Sequence, residues 1–149
     1  MRKRILMVIA MALVTVLPAA AEAKTERIRS AIDLDVLGII DRHGGVSYAF
    51  AGGVGAQGFT FACMGDRQVT LFRVEPNGTA TPVASATTEL GGFAGTIERP
   101  LAEISGSYYA EVAPRTRKFK SGQHRKLRCL GARSPTILVQ VPAALLTSQ

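Results

Sequence analysis

Two cysteines stand at equivalent positions in two short stretches of the sequence, so thiol chemistry is the first chemistry to consider. "CMGDRQVTLFRV" begins at Cys63, "CLGARSPTILVQV" begins at Cys129, and the chain contains only these two cysteines. The same three residue types follow each cysteine at the same spacing, as the pairs Gly65 and Gly131, Arg67 and Arg133, and Thr70 and Thr136. One pattern therefore precedes two runs that have the composition of β-strands.

The first 23 residues predict export. Residues 2–4 are basic, residues 5–17 are apolar, and Ala21-Glu22-Ala23 supplies small residues for cleavage before Lys24. This is the layout of a signal peptide. An uncleaved membrane anchor is the alternative, but the apolar run is shorter than the about 20 residues that span a bilayer. We expect a secreted, periplasmic or extracellular protein with no transmembrane segment in the mature chain.

Export places the two cysteines in an oxidising compartment, where an even number of cysteines indicates a disulfide. If the two strand-like runs lie side by side and parallel, their equal offsets bring Cys63 and Cys129 level with each other. Neighbouring strands are about 4.8 Å apart, which fits the about 4.4–6.8 Å between the Cα atoms of a disulfide. We predict a Cys63–Cys129 disulfide between two parallel strand starts. Free thiols, or a chance match of two short segments, are the alternatives.

Other residue types offer little catalytic chemistry. His43 and His124 are the only histidines, no ligand spacing typical of zinc is present, and no nucleophile-elbow motif occurs. Asp33, Asp35 and Asp41 could bind calcium through oxygen ligands, although their alternation with apolar residues also indicates the solvent-facing side of a strand. We expect no metal, no cofactor and no enzyme activity.

Positive charge is concentrated near the C-terminus. Residues 24–111 carry 7 Lys/Arg and 10 Asp/Glu, whereas residues 112–149 carry 8 Lys/Arg and no acidic residue. Seven of these eight lie in "RTRKFKSGQHRKLR": Arg115, Arg117, Lys118, Lys120, Arg125, Lys126 and Arg128. Pro114 and Ser121-Gly122 indicate that the segment is a loop. We predict an anion-binding loop over residues 115–128; a mobile, solvated loop without a ligand is the alternative.

The elements that must position these residues are short strands. Apolar and polar residues alternate over residues 32–36 and 46–50, and strand-like runs cover residues 59–63, 68–74, 83–88, 93–97, 107–113 and 136–141. "EPNG" at residues 75–78 indicates a turn, and the four glycines of "AGGVGAQG" indicate a bulge or a bend. Many short strands separated by turn residues predict an all-β sandwich or barrel.

Three of these segments resemble a known family. "V-x-L" at residues 69–71, "TTELGGF" at residues 87–93 and "GSYYAEV" at residues 106–112 are similar to motifs of secreted bacterial prealbumin-like domains, which include the carboxypeptidase regulatory-like domains. The resemblance covers residues 46–141 and implies a seven- to eight-stranded immunoglobulin/prealbumin-like sandwich. We expect a sandwich domain over residues 46–149, with residues 24–45 as an N-terminal extension or edge strand.

The predicted function follows from this domain and its charge. We expect a monomeric, exported, non-catalytic module that is structural or binds an anionic surface polymer or polysaccharide, with no specific nucleic acid as partner. A secreted enzyme or an enzyme inhibitor with an unrecognised site is the alternative. A carboxylate or histidine cluster in a cleft would favour the alternative, and a smooth sandwich with one basic end would favour the binding module.

Overall fold

The computed structural model describes residues 25–40, 43, 45–119 and 126–146. The predicted signal peptide lies outside these residues. The strands of the described part are Thr25–Ile28 (β1), Ser30–Ile32 (β2), Asp35–Ile40 (β3), Val46–Ala56 (β4), Gln68–Val74 (β5), Ala80–Thr87 (β6), Gly92–Ile97 (β7), Gly106–Val112 (β8), Arg115–Lys118 (β9), Lys126–Cys129 (β10), Ala132–Arg133 (β11) and Ile137–Val139 (β12). One short α-helix, Ala143–Leu146 (α1), and the 3-10 turns Gln57–Phe59, Phe61–Cys63 and Leu101–Glu103 complete them.

The fold is mostly β, as the sequence predicts, but the predicted number of strands is too low. The described residues form twelve strands instead of seven or eight. One reason is that the run predicted over residues 32–36 is divided, since β2 ends at Ile32 and β3 begins at Asp35. The other main reason is that the basic segment contributes two strands of its own. Within the described part of the chain, no helix is long and apolar enough to cross a membrane.

The strands form three groups. β6, β5 and β8 are neighbours in that order, and β11 and β12 both pair with the free side of β8. β4 pairs with β7 on one side, whereas β2 and β3 pair with different parts of its length. The third group has the order β1-β10-β9, in which β1 and β10 are parallel and β10 and β9 are antiparallel.

Two hydrophobic clusters hold these groups together. The larger cluster draws on both of the first two groups, with Phe50 and Val54 from β4 and Leu71 and Tyr108 from β5 and β8. The smaller cluster contains Ile28, Cys63, Leu127 and Cys129 and lies against the β1-β10-β9 sheet. The three-stranded sheet therefore has a core of its own.

Two local predictions in the region of residues 51–63 are wrong. "AGGVGAQG" has no bend over residues 51–56, because β4 continues to Ala56 without interruption, and the chain turns only at the last two residues, Gln57 and Gly58. Gly52 is needed for a close approach instead, since a Cβ there would collide with the backbone oxygen of Asp33 and the ring of Phe93. The apolar run at residues 59–63 is no strand: Gly58 and Phe59 have positive φ angles of 66° and 52°, and the chain turns here.

The predicted disulfide is present, but the geometry proposed for it is wrong. Cys63 and Cys129 are bonded, with 5.4 Å between their Cα atoms. The strands β5 and β12 are not neighbours, however, because β8 lies between them and pairs antiparallel with both. Cys63 ends a 3-10 turn and Cys129 ends β10. The disulfide therefore attaches the three-stranded sheet to the turn that precedes β5.

Arg67 connects the three groups of strands through a buried guanidinium that is 1% exposed. Its Nε and Nη2 donate to the carbonyl oxygen of Ala113 (3.0 and 2.6 Å), and Nη2 also donates to the carbonyl oxygen of Leu130 (2.8 Å). Nη1 donates to the carbonyl oxygen of Cys63 (2.7 Å) and to Oγ of Ser30 (3.2 Å). Ala113 comes directly after β8, Leu130 comes directly after β10, and Ser30 is the first residue of β2. One side chain therefore holds the ends of these three strands together.

We expect Arg67→Met to reduce the free energy of unfolding by at least about 2 kcal/mol. The carbonyl oxygens of Cys63 and Ala113 would lose their side-chain donor, whereas that of Leu130 would keep the hydroxyl of Ser30, and an unsatisfied buried polar group costs about 1–3 kcal/mol. Arg133→Met is the matched control, because Arg133 occupies the equivalent place in the sequence repeat but is exposed and covers the ring of Tyr109 at 3.4 Å. Such an exposed contact contributes about 0.5–1 kcal/mol. Equal losses in urea denaturation of the two variants would contradict the role of Arg67.

Candidate functional site

The segment predicted as a basic loop forms a strand at each of its two described ends, so the loop prediction is wrong for those residues. Arg115–Lys118 is β9 and Lys126–Cys129 is β10, and the two pair antiparallel from Lys118 opposite Lys126 to Arg115 opposite Cys129. In β10, the buried residues Leu127 and Cys129 alternate with the more exposed Lys126 and Arg128, as in a strand with one buried side. The many charges of the segment favour a loop in a reading of the sequence, so this alternation is easily missed. Lys120 and Arg125 lie outside the described residues, as does His124.

Residues that pair across neighbouring strands point to the same side of a sheet. Lys126 therefore shares a side with Lys118 on β9 and with Thr25 on β1. Arg128 shares that side with Thr116 and with Arg27. We call this surface the basic face and define it by its six residues, which are Thr25, Arg27, Thr116, Lys118, Lys126 and Arg128.

The basic face carries four cations and no carboxylate. Among the described residues, Arg27, Lys118, Lys126 and Arg128 form no ion pair with an acidic side chain. Lys126 is partly exposed and the other three are exposed. A surface pocket adjoins the face and is lined by Thr25, Pro114, Arg115, Thr116, Lys126 and Arg128. An anion at this position would meet hydroxyl and cationic groups together.

Two of the predicted anion-binding arginines point to the opposite side and are used internally. Arg117 donates from Nη2 to Oδ2 of Asp66 at 2.9 Å and to the carbonyl oxygen of Gly65 at 3.2 Å. Its Nε donates to the carbonyl oxygen of Ala62 at 3.2 Å. Nη1 of Arg115 lies 4.0 Å from the same Asp66 oxygen. These contacts attach β9 to the turn that carries Cys63, so Arg115 and Arg117 position the sheet.

The predicted set therefore divides into three parts. Lys118, Lys126 and Arg128 lie together on the basic face, Arg115 and Arg117 lie behind it, and Lys120 and Arg125 are outside the described residues. Arg27 belongs to the face but was not predicted, because β1 joins β10 only through a pairing that spans about 100 residues of sequence. The exposed position of Arg27, one residue before buried Ile28, is the only local signal for it.

In the part of the chain that the structure describes, no three His, Cys, Asp or Glu side chains lie close enough together to bind a metal ion. Asp33, one of the three aspartates considered for calcium, accepts a hydrogen bond from the backbone N–H of Gly53 at 2.9 Å. Asp35 is exposed, and Asp41 lies outside the described residues. The two described aspartates thus lie on the solvent side, Asp33 at the junction of β2 and β3 and Asp35 at the start of β3.

No protein-family model matches the chain, and no curated protein matches it significantly.

Asp66 gives a test of how the sheet is attached. The hydrogen bond from Arg117 and the charge of Arg117 hold the pKa of the Asp66 carboxyl below its usual value of 3.8. A depressed pKa in the folded state stabilises the fold above pH 3.8, and the stabilisation is lost as pH falls through the folded pKa. We expect Asp66→Asn to lower the urea midpoint at pH 6, and we expect the difference from the wild type to shrink at acidic pH, as the pH falls through the lowered pKa of the Asp66 carboxyl.

Asparagine is the suitable replacement because Asp66 has a φ of 48°, a conformation that Asn tolerates. Asp35→Asn is the control, since Asp35 is exposed and forms no ion pair with a described residue. If Asp66→Asn lowers the urea midpoint by the same amount at pH 6 and at acidic pH, the contact with Arg117 does not depend on the charge of Asp66.

Proposed function

We propose that this chain is an exported, non-catalytic β-sandwich module that binds an anionic cell-surface polymer through the basic face. The sandwich assignment is supported by the core that the β4 and β5-β8 groups share, and the likeness to prealbumin-like domains rests on the three sequence segments that resemble them. Export is supported by the N-terminal sequence pattern and by the Cys63–Cys129 disulfide, since disulfides persist mainly outside the cytosol.

The observation that carries the binding proposal is the placement of like charges directly opposite each other. Lys126 pairs with Lys118, and Arg128 pairs with Arg27. Like charges on opposite residues of neighbouring strands destabilise a sheet, and opposite charges would contribute about 0.2–1 kcal/mol instead. An anionic ligand would relieve both repulsions at once. The arrangement is unfavourable for the isolated sheet and favourable for a bound polyanion.

The spacing of the cations suits a polymer better than a single small anion. The backbones of the paired cations are about 4.8 Å apart across neighbouring strands, and those of Lys126 and Arg128 are about 6.6 Å apart along β10. The four cations thus follow a staggered line across the three strands, on an exposed surface with no described carboxylate in its rows. A flexible chain with repeated phosphate, sulfate or carboxylate groups can contact several of them in succession.

Binding to polyphosphate should depend steeply on salt, because each cation that neutralises a polymer charge releases a counterion. We expect Lys118→Gln to reduce the slope of log K against log salt by roughly one. Arg99→Gln is the charge-matched control, since Arg99 pairs with Glu103 outside the three-stranded sheet, and its slope should equal that of the wild type. Equal slopes for the two variants, measured by titration at several salt concentrations, would exclude the basic face as the binding surface.

Lys118→Glu separates binding from folding. The change places opposite charges across β9 and β10, so the variant should be more stable than the wild type by a few tenths of a kcal/mol while it binds polyphosphate more weakly. Denaturation and binding are measured on the same preparation. A variant that loses stability and affinity together would indicate that Lys118 acts on the fold alone.

Export predicts a specific N-terminus. Mass spectrometry of the protein recovered outside the cytoplasm should find Lys24 as its first residue, because the cleavage site needs small residues at Ala21 and Ala23. Ala23→Phe should retain the N-terminal segment. Recovery of the wild-type chain at full length in the membrane fraction would contradict export by a cleaved signal peptide.

A further inference from the structure

The strand β3 presents an unpaired edge that is strongly apolar. It pairs with β4 through all six of its residues, and no described strand pairs with its other edge. Leu37, Ile39 and Ile40 are 56%, 50% and 68% exposed. Free backbone N–H and C=O groups therefore lie beside large uncovered side chains, and a β-strand is the partner that satisfies both.

Several other strands at the margins of the sheets have features that discourage pairing, and β7, which has none of them, exposes no large apolar side chain. β6 contains Pro82 and pairs with β5 through a register shift, β9 carries three cations, and β12 is three residues long. Proline, charge, irregular register and short length are the usual means by which proteins protect such edges. β3 has no proline, no charge after Asp35 and an unbroken register of six pairs.

We propose that β3 pairs antiparallel with β3 of a second copy of the chain, so that two β4 sheets join across a two-fold axis. In the register centred on Gly38, Leu37 of one copy lies opposite Ile39 of the other on one side of the joined sheet. Val36 lies opposite Ile40 on the other side. Within Val36 to Ile40, every pair in this register except the central glycines joins two large apolar residues, and the charged Asp35 lies outside this stretch.

A second copy fits this edge because the strand is complementary to itself. A two-fold axis uses the same residues twice, as closed dimers require. One six-residue strand from each copy buries less than the about 1,600 Å² of a standard stable interface. The dimer should therefore be weak, with a dissociation constant on the order of tens of micromolar. The monomer expected from the sequence would be the dilute form.

The experiment is sedimentation velocity of the oxidised protein over a concentration series. The wild type should change from monomer to dimer, whereas Leu37→Lys combined with Ile39→Lys should weaken association by at least tenfold, because the proposed register brings the introduced cations opposite one another. Leu90→Lys is the matched control, since Leu90 is 91% exposed in the turn between β6 and β7. This variant should associate like the wild type.

A mixing experiment tests the register. A second double variant, Leu37→Glu with Ile39→Glu, should also be monomeric alone, and an equimolar mixture of the two double variants should form heterodimers. Hydrogen exchange of the wild type should slow for β3 amides as concentration rises, which requires no substitution. A wild type that stays monomeric to about 1 mM, a dimer insensitive to the lysine pair, or β3 amides that exchange equally at all concentrations would overturn the proposal.

Discussion

The guanidinium of Arg67 is buried without a carboxylate, and carbonyl oxygens compensate its charge. Burying an unpaired charge is very costly, so this cation is tolerated only because all three of its nitrogens donate to fixed acceptors. Burial lowers the pKa of the Arg67 guanidinium, and the nearby charges of Arg115 and Arg117 lower it further. The dependence is mutual: the cation needs the carbonyl groups of Cys63, Ala113 and Leu130, and Arg67 donates to all three, joined at Leu130 by the hydroxyl of Ser30.

The disulfide and the Arg67 contacts constrain the same place by different means. Cys63 contributes its sulfur to Cys129 and its carbonyl oxygen to Arg67. The disulfide acts mainly on the unfolded chain, where closing a loop of this length contributes about 4 kcal/mol, and the hydrogen bonds act in the folded state. The combined stabilisation from the disulfide and the hydrogen bonds is larger than the destabilisation from the two like-charged pairs on the basic face, each of which costs at most about 1 kcal/mol. The sheet can therefore carry a charge pattern that is unfavourable for folding.

The sequence predicts local features well and long-range pairings poorly. The strand over residues 68–74 and the turn at "EPNG" are confirmed. Each of these depends on a few neighbouring residues. The parallel pairing of β1 with β10 has no such signal, so the third sheet and Arg27 in the basic face could not be predicted.

The repeated pattern shows why spacing alone is a limited guide. The cysteines at its start are bonded to each other, but Arg67 is buried among carbonyl groups whereas Arg133 is exposed over the ring of Tyr109. The identical spacing predicts the correct disulfide, but from a parallel pairing of β5 with β12 that the structure does not contain. The environment of each arginine is set by strands that are distant in sequence, and no property of the repeat distinguishes the two.

The like charges of the basic face and the exposed apolar edge of β3 both cost free energy in an isolated chain. Polymer binding at the first and dimerisation through the second would each strengthen the other. A dimer formed through β3 leaves the basic face free, because the two lie in different sheets, and it carries two such faces. A polymer bound to one face then meets the second at a high effective concentration, so that two weak contacts give a much tighter combined attachment. Conversely, a polymer that holds two copies close together raises the local concentration of β3 edges and favours the weak dimer. Linkage requires this effect to be reciprocal, so a modest strand pairing and a salt-sensitive face can together provide stable attachment at a polyanionic surface.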